Sequence, residues 1–292
     1  MPKTVELTSL PGVVDLYPRA VSAMLPVIGK PGRVRADATI PDTVFTIEGL
    51  KVDQHKLGDY CLATGQQFGE TLPLTYPFVL QFPLAMSVMV ASDFPFGAVG
   101  SVHIGNTIHR YRPIGVTEPL NIRTHAENLR EHRKGMLVDM VSRVSVGGEV
   151  VTEQIATFLK QQRTSLSDSE RGPAPKSHRP PPPDRVVSVD QGLTRRYAEA
   201  SGDRNPIHMS GISAMAFGFP KAIAHGMWSA AAALANLEGQ VPGDVTYAVR
   251  FGKPILLPSR VYEYTTQVDG GFDISLLDRK KGSPFLTGTL RG

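Results

Sequence analysis

The sequence has almost no cysteine: Cys61 is the single one among 292 residues. One cysteine forms neither an internal disulfide nor a cysteine-rich zinc site, and such a low content is typical of a reducing compartment. The first residues, MPKTVELTSLPGVVDLYPRA, lack the basic start, apolar run and small-residue cleavage site of a secretion signal. We therefore expect a cytoplasmic protein.

Long hydrophobic runs and basic clusters are also missing. The most apolar window, YPFVLQFPLAMSVMVA, is interrupted by Gln81 and Pro83 and falls short of the roughly 20 residues that span a bilayer, so it predicts a buried helix. No basic run is interleaved with aromatic residues, which argues against nucleic-acid binding. The 31 Lys and Arg against 27 Asp and Glu suit a polyanionic ligand such as a nucleotide phosphate, or a soluble surface with scattered charge.

The clearest division of the chain is a segment rich in proline and serine, RTSLSDSERGPAPKSHRPPPPDR, at 163–185. Its four consecutive prolines favour an extended polyproline conformation, and it has almost no large apolar side chains. We predict a linker here, between an N-terminal domain at 1–162 and a C-terminal domain at 186–292. Both halves are of ordinary domain size.

The two halves resemble each other in sequence. Placing Tyr197 over Tyr60 aligns YAEASGDRNPIH with YCLATGQQFGET, and Gly202 then falls on Gly65. Further along, FPKAIAHGMWSAAA aligns with YPFVLQFPLAMSVM, and RFGKPI aligns with HRYRPI. Three matches in the same order indicate a duplicated fold.

Each copy is predicted to contain a long apolar helix followed by strands. The run GMWSAAAALANLEGQ predicts a helix that is apolar nearly all round and must therefore be buried. The segments from VTYAVRFGKPI to SPFLTGTLRG, and their counterparts in the first copy, have the composition and turns of strands. An antiparallel sheet curled around a central helix explains these patterns, so the predicted class is α+β with two such units.

The second copy carries an acid and a base in the stretch YAEASGDRNPIHMS. Pro206 disfavours helical geometry at Asn205, so Asp203 to His208 is predicted to be an irregular loop, stiffened by bonds from Asn205 to the local backbone. Taken singly, Asp203 could be a turn residue and His208 a core histidine. On one rigid loop, however, a carboxylate and an imidazole can hold one water molecule for proton transfer near neutral pH.

The motif IAHGMW marks the start of the predicted buried helix. The first amides of a helix have no internal partner, and glycine lets a substrate approach them closely. The Gly226 N–H is therefore a candidate oxyanion donor to a substrate carbonyl. The alternative is that Gly226 only permits a tight entry into the helix. His225 is interpreted as structural, with a second base as the less favoured alternative.

The aligned positions of the first copy lack this chemistry. They are Gln66 opposite Asp203, Thr71 opposite His208, and Pro83, which has no amide hydrogen to donate. We expect the first copy to keep the scaffold without the reaction. It would bind the rest of a long acyl substrate or pack as the pseudo-symmetric partner that closes the site.

The motif Y-x-x-x-S-G-D-x-N-P-I-H, followed by A-H-G-M, resembles the signature of the MaoC-like (R)-specific enoyl-CoA hydratases and (3R)-hydroxyacyl-thioester dehydratases. The resemblance implies a double hotdog whose first half has decayed, and reversible hydration of a trans-2-enoyl thioester. We expect this chemistry to need no metal or redox cofactor. It implies Asp203 and His208 as the catalytic dyad and Gly226 in the oxyanion hole. Some short-chain members have a serine at the position of Leu234, which leaves the acyl chain length open.

The substrate is expected to be a thioester of CoA or of acyl carrier protein, acted on in fatty-acid metabolism. Arg250 and Lys253 are candidates for contacts with CoA phosphates or an acidic carrier, or else ordinary surface charges. The protein is expected to be a pseudo-dimeric monomer or a homodimer. Two other functions stay open: a hotdog acyl-CoA thioesterase, and a non-catalytic acyl-thioester-binding protein. The acid–base pair favours the hydratase over both.

Overall fold

The structure, a computed structural model, describes residues 3–12, 16, 33–35, 37–97, 100–168 and 179–292. The helices that are described throughout are α1 (Gln54–Thr64), α2 (Tyr76–Val90), α3 (Gln191–Ser201), α4 (Pro206–Met209), α5 (Gly211–Ala216) and α6 (Gly226–Leu234), which continues as a 3-10 turn at Ala235–Leu237. The strands are β1 (Thr4–Leu7), β2 (Val44–Leu50), β3 (Ser101–Arg110), β4 (Leu120–His132), β5 (Gly135–Val146), β6 (Glu149–Gln161), β7 (Arg185–Val189), β8 (Val245–Phe251), β9 (Ser259–Val268), β10 (Gly271–Asp278) and β11 (Pro284–Arg291). This α+β composition is the predicted class.

One compact unit comprises Met1–Lys51, Phe78–Asn106 and Thr117–Ala174. Its strands follow the order β1-β2-β4-β5-β6-β3, in which β1 and β2 are parallel and the β2–β4, β4–β5 and β5–β6 pairs are antiparallel. The apolar side of α2 is buried against this sheet, where Val88 and Met89 share a core cluster with strand residues such as Val138 and Phe158. The predicted buried helix and its sheet are confirmed in this unit.

The other compact unit comprises Val52–Pro77, Thr107–Val116 and Pro175–Gly292. Its strands follow the order β8-β11-β10-β9-β7, and all four neighbouring pairs are antiparallel. Every residue of α6 after Gly226 is buried. A helix of alanine and leucine with no polar face is buried as predicted, because all its sides are apolar.

The sequence duplication is visible in α1 and α3. The alignment that places Tyr197 over Tyr60 carries Gln54–Thr64 onto Gln191–Ser201 residue for residue. Both helices are capped by an aspartate side chain at the preceding position, and both end at a left-handed glycine, Gly65 or Gly202. Glycine is favoured there because a side chain strains that conformation.

The central helices of the two copies differ in where they begin. In the alignment, Gly226 at the start of α6 corresponds to Pro83, which lies inside α2. The residues that precede Gly226 are therefore non-helical, whereas their counterparts form the first turns of α2. The run predicted as a long helix is also shorter than expected, because the α-helix ends at Leu234 and left-handed Gly239 follows the 3-10 turn.

The compact units do not divide the chain at one point, since 52–77 and 107–116 cluster with the C-terminal half. The division into homologous domains at 1–162 and 186–292 stays a prediction. Residues 169–178 of the predicted linker lie outside the described part, and its last residue, Arg185, already belongs to β7. Among the described residues, no helix has both the length and the apolar character needed to cross a membrane.

Candidate active site

The predicted loop between α3 and His208 is only partly irregular. Residues 203–205 are non-helical, but Pro206 begins the short helix α4, which contradicts the prediction of a loop as far as His208. Proline is favourable at the first helical position, because the N–H that it lacks would have no partner there. Asn205 is the N-cap, and its Oδ1 accepts a hydrogen bond from the Ile207 N–H at 3.4 Å. The predicted hydrogen bond between Asn205 and the local backbone is thus confirmed, and it caps the N-terminus of α4.

His208 is buried and held from two sides. Its Nδ1 lies 2.8 Å from the backbone oxygen of Ile223, and its own backbone oxygen accepts a hydrogen bond from Gln191 Nε2 at 2.7 Å. Because a carbonyl oxygen can only accept, Nδ1 carries the hydrogen and Nε2 keeps a lone pair. Burial lowers the pKa of the ring below its usual value, so His208 is a neutral base near pH 7.

Asp203 lies close to this base, as the sequence predicted. Its Oδ1 accepts a hydrogen bond from the Asn205 N–H at 3.2 Å, and its side chain is 19% exposed. One side-chain ligand atom from each of Asp203, His208 and His225 lies within 4.8 Å of the others. A water molecule that donates two hydrogen bonds of about 2.8 Å can bridge such a separation. The geometry therefore allows the acid and the base to hold one water molecule.

His225 packs against the same two residues. Its ring stacks on that of His208 with centroids 3.7 Å apart, and its Nε2–H donates to the backbone oxygen of Asp203 at 2.8 Å. Burial, with the neighbouring His208 as a smaller cause, lowers the pKa of His225 to about 3, so the ring is neutral. Sequence reasoning interpreted His225 as structural and missed its contact with both members of the pair.

The side chains of Asp203, His208 and His225 are close enough to hold a metal ion. The hydrogen bonds and ring orientations of the two histidines, however, favour an acid–base pair over a metal site. Two of the four imidazole nitrogens already donate to the backbone oxygens of Ile223 and Asp203. The ring planes of His208 and His225 are only 29° apart, so the remaining lone pairs lie in nearly parallel planes. A metal ion bound by two histidines needs nitrogen lone pairs that converge on it.

Gly226 begins α6 directly after His225. Within the described part of the chain, its N–H donates to no acceptor, as expected in the first turn of a helix. The ring of Phe251 covers the Cα, since a Cβ placed there would lie 3.2 Å from it. The site thus combines a free backbone donor, a close contact of Gly226 with the Phe251 ring, and the neighbouring acid–base pair.

The predicted phosphate contacts are not brought into this group. Arg250 is exposed and follows the strand pattern, so it points to the opposite face of β8 from Phe251. Lys253 is also exposed, and its Nζ donates to Ser283 Oγ at 3.1 Å. A role for either in carrier binding stays a prediction. Leu234, at the position tied to chain length, is buried at the end of α6.

The corresponding place in the first copy holds different chemistry. Gln66 is buried, and its Oε1 accepts a long hydrogen bond of 3.5 Å from Thr75 Oγ1. Thr75 also pairs with the hydroxyl of Tyr60 at 2.8 Å. Pro83 is enclosed in a helix that runs past it in both directions. At these described positions the first copy therefore presents neither an acid–base pair nor a helix start.

Fold and site together define an α+β hotdog protein with an acid–base pair beside a helix start. Residues 173–280 match the MaoC like domain family. The chain is 47% identical to "3-hydroxyacyl-thioester dehydratase X" of Mycobacterium tuberculosis over 286 residues, which cover 98% of this chain and 100% of that protein. A crystal structure of HtdX from the same organism matches with a TM-score of 0.77 and 46% identity, covering 85% of this chain and 99% of that one.

A MaoC-like dehydratase from Phytophthora capsici has the same fold at 20% identity, with a TM-score of 0.70 and coverage of 88% of this chain and 97% of that one. The identity and coverage of the mycobacterial relative decide the family. This chain belongs to the MaoC-like dehydratases, and the resemblance seen in the sequence is confirmed.

Proposed function

We propose that the protein is a hydro-lyase that catalyses the reversible hydration of trans-2-enoyl thioesters and the dehydration of (3R)-hydroxyacyl thioesters in fatty-acid metabolism. The observation that carries the proposal is the juxtaposition of Asp203 and His208 beside the free amide of Gly226. A 3-hydroxyacyl-thioester dehydratase that is 47% identical along the whole chain supports it.

The Gly226 N–H binds the thioester oxygen of the substrate. As water adds to C3, electron density moves through C2 to that oxygen, which becomes more negative than it is in the substrate. A fixed donor therefore stabilises the transition state more than the ground state. The macrodipole of α6 adds positive potential at the same point.

Asp203 and His208 hold the attacking water. An ionised carboxylate and an unprotonated Nε2 both accept, so the water donates one hydrogen to each and turns its lone pair toward C3. One member of the pair removes a proton as the bond between oxygen and C3 forms. The same proton is then returned to C2, which restores the pair and balances the addition of one water molecule. The two groups act as a coupled pair, and the proposal gives the proton to the pair rather than to one residue.

The carrier of the acyl group is proposed to be CoA or acyl carrier protein, with Arg250 and Lys253 as the candidate contacts for its phosphates or acidic surface. The first copy is proposed to bind the distal acyl chain or to close the site, and the chain to be a pseudo-dimeric monomer or a homodimer. Protein groups alone supply the proton chemistry in this scheme, so we propose that no metal or redox cofactor takes part.

The test follows the loss of enoyl-thioester absorbance with crotonyl-CoA and with longer trans-2-enoyl homologues. The wild-type protein is expected to turn over at least one chain length, and Asp203→Asn and His208→Gln are expected to lose about 10² to 10⁴ in rate. Equal rates for the wild type and Asp203→Asn would contradict the proposed chemistry. No turnover at any chain length, together with tight acyl-thioester binding, would favour the non-catalytic binding protein.

A thioesterase would instead direct water at the carbonyl carbon. The same reaction mixtures are therefore assayed for free thiol with a chromogenic disulfide. Hydration without thiol release is the expected result, because both acceptors of the water belong to the pair that must return a proton to C2. Thiol release at the rate of absorbance loss would identify a thioesterase.

A further inference from the structure

We infer that His225 is a positioning residue that fixes both members of the acid–base pair, an inference that rests on the proposed hydratase function. His225 contacts Asp203 through a hydrogen bond and His208 through ring stacking, at 2.8 Å and 3.7 Å respectively. It lies directly before the proposed oxyanion donor, Gly226. One rigid side chain therefore connects all three parts of the site.

Each contact restrains a different group. The Nε2–H of His225 bonds to the carbonyl of Asp203, which fixes the peptide plane from which that carboxylate projects. The face of the ring lies on the imidazole of His208, which can then no longer tilt about its own bond to Ile223. Reactions that depend on near-attack geometry lose about a hundredfold for a displacement of about 1 Å.

A purely structural role does not explain why this ring is polar. Within the described part of the chain, His225 Nδ1 is buried without a hydrogen-bond partner. Burying an acceptor without a donor costs stability, and the hydrogen bond from Nε2–H to the Asp203 carbonyl offsets that cost. The imidazole offers two contacts that an apolar ring cannot combine. Its Nε2–H, in the plane of the ring, donates to the Asp203 carbonyl, and its flat face stacks on His208.

A series of buried rings in the same compact unit supports His225 from behind. Tyr197 packs on it with centroids 4.9 Å apart, Tyr60 packs on Tyr197 at 5.9 Å, and Tyr76 packs on Tyr60 at 5.1 Å. Tyr60 lies on α1, the first copy's counterpart of the helix that carries Tyr197. Trp228 Nε1 also donates to the backbone oxygen of Ala63 at 2.8 Å. Residues of the first copy, which lacks the acid–base pair, therefore support the His225 ring that positions this pair in the second copy.

Two variants separate the two contacts. His225→Phe keeps a ring that can stack on His208 but has no donor for Asp203, whereas His225→Gln keeps a donor and loses the ring. Both are expected to lower kcat for crotonyl-CoA hydration by about 10- to 100-fold while KM changes by less than about threefold. A merely structural role predicts the opposite pattern, in which any loss follows the folded fraction measured by circular dichroism. Both variants within twofold of the wild-type kcat would overturn the inference.

A second measurement does not depend on turnover. In the wild-type protein, long-range ¹H–¹⁵N spectra of the imidazoles are expected to show His208 as one Nδ1–H tautomer, held by Ile223. In His225→Gln the same tautomer is expected, because Ile223 still accepts from Nδ1, but the signals are expected to broaden as the ring of His208 becomes free to tilt. His208 line widths equal to those of the wild type in a folded His225→Gln protein would overturn the inference. If the wild type hydrates no enoyl thioester while the spectra change as expected, the proposed function fails and the positioning contact stands.

Discussion

The ring of Phe251 lies directly against the Cα of Gly226: a Cβ added to Gly226 would meet three ring carbons at 3.2–3.3 Å. The substitution Gly226→Ala therefore forces the ring or the start of α6 to move. Alanine keeps the backbone N–H, so we expect the displacement of this donor, not its loss, to lower kcat for hydration by about 10-fold. Steady-state kinetics with crotonyl-CoA measure the effect.

Gly58→Ala is the matched control, because Gly58 lies in α1 with no atom within 4 Å of an added Cβ. Alanine favours helix more than glycine does, so the control is expected to raise Tm slightly and to leave kcat unchanged. A wild-type kcat in Gly226→Ala would contradict the expected displacement of the donor by the Phe251 ring.

The sequence predicted which residues form this site better than it predicted the contacts that hold them in place. The acid, the base and the glycine were found because each has a chemical signature and a fixed order in the motif. The α4 helix differs from the predicted loop because proline, which breaks a helix in its interior, is favourable at a first helical position. The bond from His208 to Ile223 and the packing of Tyr60 on Tyr197 join residues far apart in sequence, and no local pattern encodes such contacts.

The alignment of the two homologous halves also predicts local features better than contacts between distant residues. Their alignment correctly matched α1 with α3 because both have an aspartate cap and a glycine stop, which are local signals. It could not show that the helix of the second copy begins at Gly226 while the first runs through Pro83, since backbone hydrogen bonds from Ile223 to Ile207 and from Ala224 to Ile255 hold the residues before Gly226 out of the helix.

The pH dependence of kcat/KM should report the buried state of His208. Its pKa is lowered chiefly by burial, and the unprotonated ring is the active form, so activity should persist below the ordinary histidine pKa of about 6.5. We expect a plateau through neutral pH and an acid limb with its midpoint below that value. Hydration rates in buffers of constant ionic strength measure it. A midpoint above about 6.5 would mean that His208 is not a buried neutral base.

Folding stability should also fall with acid. His208 and His225 both have lowered pKa values, His225 to about 3, so on acidification the unfolded chain takes up protons near pH 6.5, before the native protein does. The unfolded state then binds more protons, and the free energy of unfolding decreases as the pH falls through this window. Between about pH 6 and pH 5 the loss should be about 1 kcal/mol for His225, and His208 should add to it in the same direction.

Urea unfolding at the two pH values measures this loss, and His225→Phe provides the control. Phenylalanine takes up no proton in either state, so the variant should lose less stability than the wild type over the same interval. A variant with the same pH dependence as the wild type would show that His225 does not contribute.

Arg185 and Glu263 form an ion pair of 2.7 Å beneath the central helix of the second copy, and the carboxylate is fully buried. Arg185 also donates to the backbone oxygen of Ala232, near the end of α6. Burial raises the pKa of Glu263, and Arg185 acts against that increase. Because Arg185→Met leaves a buried carboxylate without its cation, it should destabilise the protein by about 3–5 kcal/mol in urea unfolding near neutral pH.

The double variant Arg185→Met with Glu263→Leu removes both charges and should recover most of that loss, since apolar groups of similar volume can replace a buried pair. The loss in Arg185→Met should also shrink as the pH falls, because protonation of Glu263 removes the unpaired charge. The single variant Glu263→Leu completes the comparison. If the losses of stability in Arg185→Met and Glu263→Leu simply added in the double variant, the two residues would not be energetically coupled. The pair would then be two separate contacts of β7 and β9 with the core.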